Sequence, residues 1–247
     1  MPGQSYRGFA EKVALVTDGA SATGRAVALQ LALEGAYVIV GYGEAEGAAG
    51  ERVAHELSEM GTLAHALRAN VWQPEDVSRL FALVEEMFGR LDLLVNSAHL
   101  SDHSTVDELT SEGWNQMFDV NLKSAFLCSQ AAARLMLGRP KAAICNVASE
   151  SGMASRSSGA VHYVAAQAGL IGLTRALARA FAPRIRVNAV AVAAYESNSP
   201  NVEARPVQAA STGRATPPDE VARACVYLLS PEASTVTGQT LVVGSCP

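Results

Sequence analysis

The chain has 247 residues, 49% of them hydrophobic and 17% charged, and a formal net charge of −5. That length and apolar content suffice for one α/β domain with a large core. A mildly acidic chain without a Lys/Arg block offers no electrostatic footprint for nucleic acid or an anionic membrane, and no apolar run reaches the roughly 18 residues of a membrane span.

The opening MPGQSYRGFAEK lacks the apolar stretch of a secretory signal, which predicts a cytoplasmic protein. The first strand is predicted at 13–17 (VALVT), and six more follow at 37–40, 63–69, 91–96, 142–148, 185–192 and 240–244. Each is a short apolar run, and the first is rich in β-branched residues. Helical periodicity fills the intervals at 24–34, 44–60, 74–88, 111–137, 159–182 and 218–229. Pro74, Pro217 and Pro218 stand near helix starts, where a missing N–H costs nothing. This βαβ alternation predicts one Rossmann-type, doubly wound α/β domain over 1–247, with a seven-stranded parallel sheet covered by helices on both faces. The exception is 193–216, a long stretch without pattern that reads as a substrate lid. Cys128, Cys145, Cys225 and Cys246 show no CxxC and no metal-like grouping with histidine. Three of them lie in apolar patterns and read as buried thiols of a reducing compartment; no metal site is expected.

The first strand turns over small residues into a helix, the layout of a dinucleotide-binding unit. Six landmarks then stand in order: VNL around Asn121, NVAS ending at Ser149, Tyr163, AGLIGLTRALA, IRVNAVA and TGQTLVV. On these, the chain resembles the short-chain dehydrogenases/reductases, in particular the 3-oxoacyl-[acyl-carrier-protein] reductase branch. The resemblance runs from Val13 to Gly244. It implies hydride transfer between a nicotinamide and a carbonyl, with Asn121 holding a water, Ser149 polarising the carbonyl and Tyr163 passing the proton. It also implies subunit contacts through the helices around 111–137 and 159–182.

The same comparison exposes departures. The lysine of Tyr-x-x-x-Lys is Gln167. An ammonium roughly 4 Å from a phenol favours phenolate by about 4 kcal/mol at an effective dielectric near 20, and a neutral amide supplies no such field. The glycine-rich T-G-x-x-x-G-x-G becomes Thr17-Asp18-Gly19-Ala20-Ser21-Ala22-Thr23-Gly24, which keeps only the last glycine of the motif. The cofactor-side positions are then Asp18, Ser21, Ala22, Thr23, Gly24, Tyr42, Asn70, Val71, Asn96, Ala98 and Val192, with His99 where the family has a glycine. Asp18, helped by Ser21, is expected to satisfy the first N–H groups of the helix from within, as an internal phosphate mimic. If a dinucleotide binds, NADP is favoured over NAD, because no strand-end carboxylate follows Tyr42 to repel a 2′-phosphate.

These departures point first to a pseudo-reductase with no or weak dinucleotide binding. It would form a homo-oligomer (dimer or tetramer), or a hetero-oligomer with an active homologue. One alternative is an active NADP-dependent 3-oxoacyl or carbonyl reductase using Ser149 and Tyr163 on a small-molecule or acyl substrate. Another is a cofactor-independent cyclase, dehydratase or isomerase built on Tyr163, Ser149 and His99.

Overall fold

The computed structural model describes residues 8–102, 104–138, 141–153, 160–193 and 214–244. Seven parallel strands form one sheet: β1 (Val13–Val16), β2 (Tyr37–Tyr42), β3 (Ala64–Arg68), β4 (Leu93–Asn96), β5 (Ala142–Ser149), β6 (Ile185–Val192) and β7 (Thr240–Val243). Their order is β3-β2-β1-β4-β5-β6-β7, so the fold is the expected Rossmann type. The chain direction across the sheet reverses between β1 and β4, the switch point at which open α/β sheets bind ligands.

Side-chain alternation sorts the strands into two cores. Ala14, Val16, Val38, Val40, Cys145 and Val190 face α1 (Ala22–Leu33), α2 (Ala49–Glu59) and α7 (Pro218–Leu229). Val13, Leu15, Ile39, Leu94, Ile144 and Val187 face α3 (Pro74–Phe88), α5 (Ser124–Met136) and α6 (Val161–Phe181). Edge strands β3 and β7 are only partly buried. Cys128, Cys145 and Cys225 are buried free thiols, as expected. Cys225 and burial push the Cys145 thiol up, and burial pushes Cys128 up to about 12, so neither is a nucleophile.

Two expected helices differ in detail, and both differences bear on the site. The segment expected as a helix over 44–60 begins with a 3₁₀ turn, Glu44–Glu46, before α2. The helix expected over 111–137 is α4 (Ser111–Phe118) and α5 joined by a π-helical turn, Asp119–Lys123. Most of the expected lid, 194–213, lies outside the described residues, as do His103 and Cys246.

Candidate functional site

The β1–α1 loop keeps its turn despite the lost glycines. Thr17 ties the two strands at the switch point: its N–H bonds to the Val95 carbonyl at 3.0 Å, and its Oγ1 accepts the Ser97 N–H at 3.0 Å. Asp18 takes φ +51°, the left-handed backbone that the family's glycine serves and that Asp tolerates better than most residues. Gly24 is irreplaceable, because a Cβ there would lie 2.1 Å from the Asp18 carbonyl oxygen. Ala22 and Thr23 open α1, with Ala22 exposed. Arg25 bonds Glu56 through Nε at 2.8 Å, which leaves it on the α1–α2 surface.

The carboxyl of Asp18 does not cap α1, contrary to expectation. Ser21 is the cap: its Oγ accepts the Gly24 N–H at 3.1 Å and donates to the Asp18 carbonyl at 2.8 Å. The Asp18 carboxyl instead meets that of Glu46. Burial pushes Asp18 well above the usual carboxylate range, the Glu46 hydrogen bond and charge raise it further, and Ser21 pulls the other way. Burial and Glu46 thus favour the protonated form of Asp18 relative to a free aspartate. Glu46 Oε2 also accepts the Gly43 N–H at 2.5 Å, which places a carboxyl just beyond the end of β2. The ground on which the sequence favoured NADP, a β2 end without carboxylates, does not hold.

The other cofactor-side positions fall into two groups. Tyr42, Val71 and Val192 are buried in the framework. The Tyr42 ring packs against Gly50 of α2 and its hydroxyl bonds Glu51, so it is turned away from the β1–α1 loop. Asn70 links two segments, its N–H donating to Asp76 at 2.9 Å and its Oδ1 accepting from Glu44 N at 3.3 Å. Ala98 packs against the core that α3 and α5 cover. Asn96 donates from Nδ2 to Asn146 Oδ1 at 2.8 Å and to Ser129 Oγ at 3.1 Å. Its Oδ1 and the Ser97 Oγ are buried with no hydrogen-bond partner. Two orphaned polar atoms at the switch point, beside a capped helix start with an intact Gly24, fit a polar ligand such as a dinucleotide.

On the catalytic side the π turn rotates Asn121 inward, and the amide is fully used. Nδ2 donates to the Leu100 carbonyl at 2.9 Å and the Met117 carbonyl at 3.0 Å. Oδ1 accepts the Leu100 N–H at 3.2 Å and Gln167 Nε2 at 3.1 Å. The side-chain amide has no capacity left for the water that the resemblance implies. Gln167, also buried, accepts the Ser149 N–H on its Oε1 at 3.0 Å. It is a clasp between β5, α6 and the π turn, and does not reach outward as a ribose ligand would.

Ser149 Oγ accepts the Ser151 N–H at 3.2 Å. Tyr163 lies one turn before Gln167 on α6, and its hydroxyl is 3.0 Å from His99 Nε2, with the two rings edge to face at 5.5 Å. His99 is open to solvent along one side, while the surrounding protein pushes its imidazole down to about 4. The ring is thus neutral at pH 7 and able to accept or donate at Nε2. His162, the neighbour of Tyr163, points elsewhere: it is fully buried, with Nε2 3.3 Å from Asp102 Oδ2 but out of line for a hydrogen bond. Lys123 pairs with Asp119 at 3.1 Å. The sequence joins His99 to Tyr163 only in the cofactor-independent alternative, because the contact spans 64 positions and leaves no local signal.

Among the described residues no cluster of three metal-ligating side chains exists, and no helix is long and apolar enough to cross a membrane. A family model described as enoyl-(acyl carrier protein) reductase matches residues 19–245. A 3-oxoacyl-[acyl-carrier-protein] reductase from Synechocystis is 36% identical over 236 residues, covering 94% of this chain and 95% of that protein. A cyclohexanol dehydrogenase from Acinetobacter is 36% identical over 245 residues, covering 95% and 94%. The crystal structure of a short-chain dehydrogenase from Burkholderia cenocepacia in complex with NADP superposes with a TM-score of 0.90 at 30% identity, covering 96% of this chain and 98% of that one.

Proposed function

The chain belongs to the short-chain dehydrogenase/reductase family, and on that premise we propose that it is a reductase of a 3-oxoacyl compound or a related ketone, with NADP as cofactor on the support of the Burkholderia cenocepacia relative that binds it. The observation that carries this reading is the arrangement around Gln167, which ties the Ser149 backbone to the helix that presents Tyr163 one turn away. A carbonyl seated there receives the Ser149 Oγ–H and the Tyr163 hydroxyl proton on its oxygen. When bound, a reduced nicotinamide supplies the hydride. Ser21, Gly24 and the polar atoms of Asn96 and Ser97 would hold the dinucleotide. A carboxyl at Asp18 whose protonated form is favoured opposes a phosphate less than a free aspartate would.

The reading includes a homo-oligomer in the cytoplasm. An apolar groove of about 400 Å³, lined by Phe118, Leu122, Phe126 and Leu173, is where we place the contact between copies. One observation favours a second reading, a non-catalytic subunit: the lysine position is filled by a side chain whose bonds are all internal. Oxidation of NADPH by a 3-oxoacyl thioester separates the two. Turnover that disappears in Tyr163→Phe supports the reductase; wild-type protein without turnover supports the subunit.

A further inference from the structure

We infer that His99 has taken over the lysine's part in the proton path by handing protons to Tyr163, and that Gln167 and Asn121 hold it in place. The inference rests on the reductase reading. Its basis is a closed circuit of contacts. Gln167 Nε2 donates to Asn121 Oδ1 at 3.1 Å, and Asn121 grips both polar groups of Leu100, at 2.9 and 3.2 Å. Leu100 is covalently joined to His99, whose Nε2 lies 3.0 Å from the Tyr163 hydroxyl. Tyr163 and Gln167 are four residues apart on α6, the spacing that puts two side chains on one helix face. The circuit therefore starts and ends on the same helix. The two departures from the family pattern, histidine for glycine and glutamine for lysine, sit in this one circuit.

The chemistry balances without a charged lysine. Hydride adds to the carbonyl carbon, the C=O π pair moves to oxygen, and that oxygen takes the Tyr163 proton. The phenolate then takes the proton from His99 Nε2 while Nδ1 takes one from water. The ring ends as the other neutral tautomer, and the net proton comes from solvent. A ring that is neutral in the resting protein and open to solvent suits this exchange. His99 acts through Tyr163 and is in that sense a positioning and relay residue.

The test uses His99→Ala, which removes an exposed loop side chain. Turnover with NADPH should fall about 100-fold, the low end of what a proton-transferring side chain contributes. Added imidazole should restore part of it, in proportion to its concentration, as no repair of a structural defect would. Unchanged turnover, or a loss that imidazole does not relieve, overturns the inference. A second readout needs no catalysis: the ¹⁵N resonances of the His99 ring should shift in Tyr163→Phe. If wild-type protein has no turnover, the reductase reading fails and this readout alone decides. Resonances that move support the His99–Tyr163 coupling, and resonances that stay overturn it.

Discussion

Gln167 donates to Asn121 at 3.1 Å while accepting the Ser149 N–H at 3.0 Å, so the residue in the lysine position holds three elements together. Restoring the family's lysine would therefore remove something. Lysine has no acceptor for the Ser149 N–H, and leaving a buried donor unmade costs about 1–3 kcal/mol. Both Gln167→Lys and Gln167→Met should lower the unfolding free energy by that amount, read as a lower denaturation midpoint at an unchanged slope. A Gln167→Met protein as stable as wild type would show that the clasp contributes nothing.

Gly24 is the one loop glycine of the family motif that remains, and the turn depends on it. A Cβ at 2.1 Å from the Asp18 carbonyl oxygen and 2.8 Å from Gly19 Cα meets backbone on both sides. Gly24→Ala should cost about 1–3 kcal/mol or more and abolish nucleotide binding measured by calorimetry. The control is Gly138→Ala, where a Cβ meets nothing within 4 Å; its stability should stay within about 0.5 kcal/mol of wild type.

The Asp18 carboxyl gives the protein a pH signature. Its folded-state value is raised above the ordinary 3.8, so near and below 3.8 both states carry the proton and the group is neutral in effect. Above it the unfolded chain ionises first, and folded stability falls as pH rises. Asp18→Asn removes that penalty while keeping a residue that tolerates the left-handed backbone. The stability gain of the variant over wild type should grow from about pH 3.8 toward neutrality in thermal melts. A gain independent of pH would place its origin elsewhere.

His99 has the opposite sign. Its imidazole is pushed down from 6.5 to about 4, so between those values the unfolded chain binds a proton that the folded one refuses. The stability this group contributes is present above pH 6.5 and is lost as pH falls toward 4. Melting temperatures of wild type should therefore drop faster over that window than those of His99→Gln. Parallel curves would contradict an imidazole held below its ordinary value.

The fold was legible because its signal is local. The runs VALV and AAICNVA declare buried strands by composition, and Pro74 and Pro218 mark helix starts. Much of the site depends on geometry that no window of sequence contains. The π turn at Asn121 adds a residue to a helical register without changing the apolar period, yet it aims the amide at Leu100. Glu46 reaches the Asp18 carboxyl because the chain makes a 3₁₀ turn and reverses at Gly47, φ +54°. The role of the Asp18 carboxyl was misassigned for a simpler reason: Ser21 alone suffices as the cap, and the aspartate meets Glu46 instead. Ser149 and Tyr163 were legible only through family likeness, since their spacing by itself carries no chemistry.

The central claim is that this chain transfers hydride to a carbonyl with Tyr163 as the proton donor. The most direct measurement follows deuterium from a reduced nicotinamide, deuterated at its transferable position, into a 3-oxoacyl thioester by mass spectrometry. The structure predicts deuterium at the carbinol carbon of the product with wild-type protein and none with Tyr163→Phe. Product from wild type without deuterium, or no product at all beside a folded protein, would contradict it.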